Sequence, residues 1–333
     1  MQVVVSVDTE ADGQWEHGRS LATRNVAAWP PFQELCRRHG VPPTYLITSE
    51  IADDPDAAAF LRPLATAGEA EVGTHLHPWT TPPFADEPGL RRNDRTHAYP
   101  CHLEPELLLA KLETLTLQVA RVAGARPTSY RAGRFGLDPS GAWLLAELGY
   151  RVDSSVTPHV SWAGNAGRPG CGGGPDFRRH DGRPFRIAGT GEPGLVELPV
   201  TILPTLALTR RVPWLREHWQ ARPLRPIRRA VPALSRPQPL WLRPRPEYVL
   251  SDLQALVLEA ERRELPCAVF MFHSSELLAG ASPYRPTQAA VDTLLRLLDD
   301  LFGWMGGRGH EFATLSGAAR LVAAHAGLPV REL

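Results

Sequence analysis

The chain has 333 residues, 43% of them hydrophobic, and its 36 Lys and Arg balance its 36 Asp and Glu to a net charge of zero. That balance leaves no global field to recruit nucleic acid or an anionic membrane, and no apolar run approaches the ~20 residues that span a bilayer. The four cysteines (Cys36, Cys101, Cys171 and Cys267) form no C-x-x-C pair, which indicates neither a disulfide framework nor a cysteine zinc site.

The opening stretch MQVVVSVDTE turns acidic without a charged n-region, a sustained apolar core or a small-residue cleavage site. No signal peptide is expected, and the expected compartment is cytoplasmic. Residues 2–8 (QVVVSVD) read as a β-branched strand. Residues 31–38 suit a helix, with proline in its first turn and His39-Gly40 as its stop. A strand at 44–48, an Ala-rich helix over 56–67, a strand at 70–75 and an amphipathic helix over 104–122 follow. Strands at 128–131 and 150–154 flank a helix at 139–148, and 195–201 reads as another strand. A helix over 248–264, a buried strand at 267–273 (CAVFMFH), a helix over 287–302, and a strand and helix at 311–315 and 316–324 complete the series. Seven or eight such units in alternation argue for a largely parallel α/β fold in one domain, 1–333.

Two stretches break the rhythm. Residues 161–194 are glycine-rich and read as a loop excursion over the barrel mouth. Residues 204–246 carry many prolines and arginines with Trp214, Trp219 and Trp241. Prolines at that density remove backbone donors and break helices, so the segment reads as an insertion. It is either a lid or substrate-binding subdomain, or a solvated excursion whose tryptophans pack on the barrel. The only lysine in the chain is Lys111.

Titratable residues recur where strands end: Asp8 and Glu10, His75 and His77, Arg131, Asp153, and His273. In α/β barrels the C-terminal strand ends share the functional mouth, so side chains from distant segments converge there. His75 and His77 stand at i and i+2, on one face of an extended segment, where two imidazoles can share one ion. Taken alone, H-x-H reads more readily as two ordinary loop histidines. Glu10, or alternatively Asp8, would complete a set of two histidines and a carboxylate with an open position for water. The other carboxylate would act as general base, with Asp12 adding a further acidic neighbour. His273, after five apolar residues, suits a general acid or a satisfied core histidine. Arg131 suits a bidentate hold on the base or a purely structural ion pair.

In order, VSVDTE, GTHLHPW, YRAGRFG, YRVDSS and VFMFHSS resemble the five motifs of the NodB-homology polysaccharide deacetylases, carbohydrate esterase family four. VELPV also resembles a strand between the last two motifs. The resemblance covers roughly residues 1–315 apart from the two excursions. It implies a distorted (β/α)7 barrel, with Asp8 as general base, Glu10 and His75 as metal ligands, Arg131 orienting Asp8, His273 as general acid and Asp153 supporting them. It also implies a divalent metal, with Zn2+ expected and Co2+, Ni2+ or Mn2+ as alternatives. A backbone N–H near Phe135 would assist at the oxyanion.

Three departures stand out. The family's metal histidines are usually four residues apart, but position 79 is Trp79. That makes His77 the natural replacement, with His97 or His102 as alternatives. The acidic motif is D-T-E, the spaced form of a divergent branch, and Gly133 stands where proline is common. The expected reaction is removal of an N-acetyl group from an amino sugar or glycan precursor. Two rivals are an allantoinase-like hydrolase of a non-sugar amide and a non-catalytic binding protein on the same fold. H-x-H also opens amidohydrolase sites, but there on the first strand, whereas here it follows the third.

Overall fold

The computed structural model describes residues 1–14, 21–86, 91–92, 98–165, 172–205, 238–325 and 327–333, with the isolated positions 214, 223 and 226. In chain order its first half comprises β1 (Gln2–Thr9), α1 (Trp29–Arg38), β2 (Thr44–Ile47), α2 (Ser49–Ala52), α3 (Pro55–Ala67), β3 (Glu71–Leu76) and α4 (Pro105–Ala123). There follow β4 (Ser129–Ala132), α5 (Pro139–Glu147), β5 (Val152–Asp153), β6 (Phe185–Ile187), β7 (Val196–Glu197), β8 (Ile202–Thr205) and β9 (Gln238–Trp241). The chain ends with α6 (Leu250–Arg262), β10 (Cys267–His273), α7 (Gln288–Gly307), β11 (Glu311–Ala313), α8 (Leu315–His325) and β12 (Val330–Arg331).

Strands β10-β1-β2-β3-β4-β5-β7 pair in that order, all parallel. β6 runs antiparallel to β7, β12 joins β6, and β11 pairs with the start of β1. The sheet curls, and the chain after β7 crosses towards its other end. There Thr201 N–H donates to Val269 O (3.1 Å) and Met271 N–H donates to Leu242 O (3.1 Å). The architecture is the expected α/β one, a distorted (β/α)7 barrel in the form of a curled half-barrel with helices outside.

The period-two alternation of strands divides the core. Along β1, Val3, Val5 and Val7 pack with Trp29, Phe32 and Leu35 of α1 in the outer layer, whereas Val4 lies inside with Leu46, Val152 and Val196. Along β10, Ala268, Phe270 and Phe272 face out, while Cys267, Val269 and Met271 face in. Uninterrupted apolar runs such as CAVFMF are therefore strands buried on both faces, as parallel sheets require. The same alternation carries Ser6, Asp8 and Glu10 inward, because they continue the even series begun by Val4.

Local signals set the helices. Asp54 caps α3 by accepting from the Asp56 and Ala57 N–H groups, an arrangement worth about 1 kcal/mol. Pro55 opens that helix, and Gly68 closes it at φ 72. α7 runs five residues past the expected end, through Gly303, because Leu298, Leu301, Phe302 and Met305 form one continuous buried face. Tertiary burial there outweighs the ~1 kcal/mol propensity cost of a glycine.

The 161–194 stretch is not loop throughout: it contributes β6 to the sheet, with Phe185 buried. The expected strand at 195–201 is only β7, as the segment containing Pro199 leaves the sheet for the edge of β10. In the 204–246 insertion, β8 and β9 pair as antiparallel legs. Trp241 is buried, Trp214 is 57% exposed, and Trp219 lies outside the described residues. No helix among the described residues is long and apolar enough to cross a membrane.

Candidate metal centre and catalytic cavity

Register explains why residues far apart in sequence meet. Asp8 and His273 share a rung of β1 and β10, and His75 and Arg131 share a rung of β3 and β4. Glu10 lies just beyond β1 and His77 just beyond β3, each two residues on and therefore on the same inner face. They open into a cavity of about 390 Å3 whose wall includes Asp8, Glu10, His75, His77 and His273.

Glu10, His75 and His77 are all buried, and their candidate ligand atoms lie within 4.8 Å of one another. Glu10 Oε2 stands 3.5 Å from His77 Nε2 and 4.0 Å from His75 Nε2. His75 Nδ1 lies 2.9 Å from the Arg131 carbonyl oxygen. As a donor to that oxygen, Nδ1 leaves Nε2 as the ligating nitrogen, the outer hydrogen bond that metal-bound histidines characteristically make. Burial also holds the His75 pKa below the ordinary imidazole value, against the opposing pull of Asp8, and so favours the neutral ring. The donor set of one carboxylate and two imidazoles fits a divalent transition metal.

Trp79, at the position four after His75, stacks on the His77 ring at 4.3 Å and 24°. Gly133 also lies against that ring. A Cβ there would sit 2.3 Å from His77 Cδ2 and 2.5 Å from Leu76 O, so only glycine fits. His102 is turned away, with Nε2 3.1 Å from Gly173 O. His97 lies outside the described residues. Asp12 binds the Asn25 backbone and side chain and Arg24 (3.1, 2.8 and 2.9 Å). Asn25 in turn donates to Glu10 O at 3.0 Å, so Asp12 braces the turn that carries Glu10.

Asp8 is paired with Arg131, Nη1 to Oδ1 at 2.5 Å. Arg131, 0% exposed, also donates through Nε to Ser154 O (2.7 Å) and through Nη2 to Ser6 Oγ (3.0 Å) and Ser154 Oγ (2.9 Å). Burial raises the Asp8 pKa, but Arg131, His75 and His273 together outweigh it and leave the carboxyl below its ordinary value. A well-satisfied guanidinium of this kind is what makes a buried charge pair tolerable.

Asp153 occupies a different face. Register sets it on the rung of Tyr130 and Glu197, whereas Ser154 shares the inner face with Arg131. The Asp153 carboxylate accepts from Ser155 N–H (2.8 Å) and Ser155 Oγ–H (2.7 Å) and lies off the cavity wall. Burial lifts both its pKa and that of Glu197, Glu197 further because the charge of Asp153 adds to the effect.

The carboxylate beside His273 is Glu276, one short turn further on. Glu276 Oε1 is 3.5 Å from His273 Nδ1 and accepts from the His273 backbone N–H at 3.3 Å. Arg243 and Arg285 flank it at 3.4 and 3.7 Å. His273 Nε2 points the other way, 4.0 Å from Glu10 Oε1. Burial raises the Glu276 pKa, but His273 and the two arginines bring it below the ordinary glutamate value.

Phe135 and Trp162 form an aromatic part of the cavity wall, stacked at 5.5 Å, and Trp241 packs 5.8 Å from Phe135. Phe135 reaches the cavity through a turn in which Arg134 and Phe135 both take positive φ (52° and 60°). Strain of this sort collects where a site over-determines its backbone. Trp79 and Phe135 were legible beside the motifs that contain them. Glu276 could have been read from its spacing after His273, and Arg243 was hidden among the arginines of the insertion.

No protein-family model matches the chain, and none of the curated proteins compared does. Among solved structures, the chain is similar to a Mycobacterium smegmatis protein named as a polysaccharide deacetylase, with TM-score 0.55 and 18% identity over 100% of this chain and 94% of that one. It is also similar to part of a 4-alpha-glucanotransferase from Thermococcus litoralis, with TM-score 0.51 and 12% identity over 96% of this chain and 38% of that one. The fold is that of the polysaccharide deacetylase among these structures.

Proposed function

We propose that the chain is a metal-dependent deacetylase that removes the N-acetyl group of an amino sugar or glycan precursor, belonging to a D-x-E/H-x-H branch of its fold type. One observation carries the reading: Glu10, His75 and His77 converge in a cavity that also holds an arginine-paired Asp8 and His273. Glu10, His75 and His77 would hold a divalent ion, Zn2+ by its donor set with Co2+, Ni2+ or Mn2+ able to substitute, which would supply electrophilic polarisation of the acyl oxygen.

The chain's own residues do the rest. Asp8, kept ionised by Arg131, takes a proton from the attacking water as its oxygen bonds to the carbonyl carbon. The backbone of the Phe135 turn faces the oxygen on which charge develops. His273 gives a proton to the nitrogen as the C–N bond breaks, so that acetate and a free amine leave. Glu276 orients His273, and Asp153 acts at one remove through Ser155 and its field on Arg131. Trp79, Phe135 and Trp162 offer flat apolar faces to a sugar ring.

The test pairs metal analysis with acetate release from a panel of N-acetylated sugars. His75→Ala is expected to lose both metal and turnover, and Asp8→Asn to keep the metal and lose turnover. A metal-loaded protein that releases no acetate from any N-acetylated sugar would overturn the reading. Hydrolysis of non-sugar amides instead would move it to the allantoinase-like class.

A further inference from the structure

One cation on the cavity wall, Arg243, is only loosely held by its partners. Arg243, which follows β9, and Arg285, which precedes α7, have side chains only 9% and 6% exposed. Both lean on one buried carboxylate, Glu276. The nearby Glu247 is occupied with Arg245 at 3.5 Å, so three guanidiniums face two carboxylates. Arg243 is the one that reaches the cavity wall, next to Tyr284, whose ring lies 5.0 Å from its Cζ. Its contacts are weak for a buried cation. Nη2 is 3.4 Å from both Glu276 Oε1 and His273 Nδ1, and Nε is buried without a hydrogen-bond partner among the described residues.

A buried guanidinium with long contacts and an unused donor is costly unless an acceptor completes it. Nε itself is shielded, but the side chain lines the cavity, where a substrate oxygen can add to the two long contacts of Nη2. Arg134 adds a second cation to the same wall, set over the Tyr99 ring at 4.4 Å. By contrast Arg131, more deeply buried still, has all three of its nitrogens bonded, to Asp8, Ser6 and Ser154.

We propose that Arg243 recognises an anionic oxygen group, carboxylate or phosphate, on the substrate, which makes the substrate class an acidic N-acetylated sugar rather than a neutral one. This rests on the deacetylase reading above. It also explains why a cationic residue from the insertion is built in beside the residue that protonates the leaving amine, where a neutral substrate would need none.

The test compares kcat/KM for a neutral N-acetylglucosamine glycoside, N-acetylglucosamine 6-phosphate and an N-acetylated glucosaminuronic acid, in the metal-loaded wild type, Arg243→Gln and Arg243→Lys. Because Arg243 touches His273, a change in kcat common to all substrates is expected, and the acidic-to-neutral ratio cancels it. The wild type is expected to favour an acidic substrate by about 10- to 100-fold, the range of one charge-assisted contact. Arg243→Gln should bring that ratio near one, and Arg243→Lys should retain part of it. The phosphate and uronate arms decide which anion is meant. Calorimetry of the same sugars with metal-free protein needs no turnover. Tighter binding of an acidic sugar that is lost in Arg243→Gln supports the anion site even if no acetate is ever released. Equal treatment of acidic and neutral sugars by the wild type, or a ratio unchanged in Arg243→Gln, overturns it.

Discussion

Gly133→Ala is the sharpest single test of how the metal centre is built. The added Cβ would lie 2.3 Å from His77 Cδ2 and 2.5 Å from Leu76 O, whereas carbon atoms rest about 3.5–4.0 Å apart. The His77 ring would have to retreat by about 1.2 Å to restore even the shorter of those contacts. It cannot simply swing away, because Trp79 is stacked on it at 4.3 Å. Overpacking of this kind costs about 1–3 kcal/mol of stability. Disturbing the support of a metal ligand lowers affinity by about 10- to 100-fold. The measurement is a calorimetric titration of metal-free protein with Co2+, run beside a thermal melt to confirm that the variant is folded. A folded Gly133→Ala protein that binds cobalt as tightly as the wild type would refute the reasoning, because His77 would then not be held where the metal needs it.

Three further outcomes follow from the same geometry. Arg131→Met leaves Asp8 buried without its cation and should cost about 3–5 kcal/mol in denaturant-melt stability; a loss under 1 kcal/mol would show that Asp8 finds other compensation. Lys111→Met removes the donor that holds the carbonyls of Pro78, Thr81 and Pro83 at 3.1, 2.6 and 2.7 Å. At about 1–3 kcal/mol for each orphaned group, it should destabilise the protein and loosen the loop after His77, read as faster amide exchange at Trp79, Thr80 and Thr81. Glu197→Gln tests pH dependence. Glu197 has its folded-state pKa raised by burial and by Asp153, so the folded state holds the proton longer than the unfolded one. Its contribution to stability is then complete below the ordinary value of 4.5 and is lost as pH rises towards the folded pKa. The glutamine variant should therefore lose less stability than the wild type as pH rises above 4.5, and parallel profiles would contradict a raised Glu197 pKa.

Much of the fold was legible because parallel strands buried on both faces leave long β-branched runs, and because proline, glycine and aspartate mark helix ends. Short strands were not. β6 and β12 hold three and two residues, too few to carry a period, and they exist only because the sheet offers them an edge. For the candidate site, strand-end position picked out Asp8, Glu10, His75, His77 and His273, which line one cavity, and Arg131, which pairs with Asp8. The same criterion also selected Asp153, but a strand end does not specify a face, and the register sets Asp153 one residue out of phase with the inward Ser154. Two departures from the family pattern turn out to be one. Proline carries a Cβ, so proline at 133 and an imidazole at 77 exclude each other, a steric fact invisible until β3 and β4 are laid side by side. Glu276 and Arg243 escaped because their partners lie in space rather than in motif.

Lys111 has a consequence beyond stability. It is the chain's only lysine, and it is 1% exposed, so no lysine amine is available at the protein surface for acylation, glycation or conjugation. An amine-reactive reagent can reach Lys111 only when the loop of Pro78, Thr81 and Pro83 lifts from α4, and at low reagent concentration its modification rate reports the population of that opened state. The protein thus contains a single-residue recorder of how often the roof beside His77 comes off, readable by mass spectrometry without any engineered label.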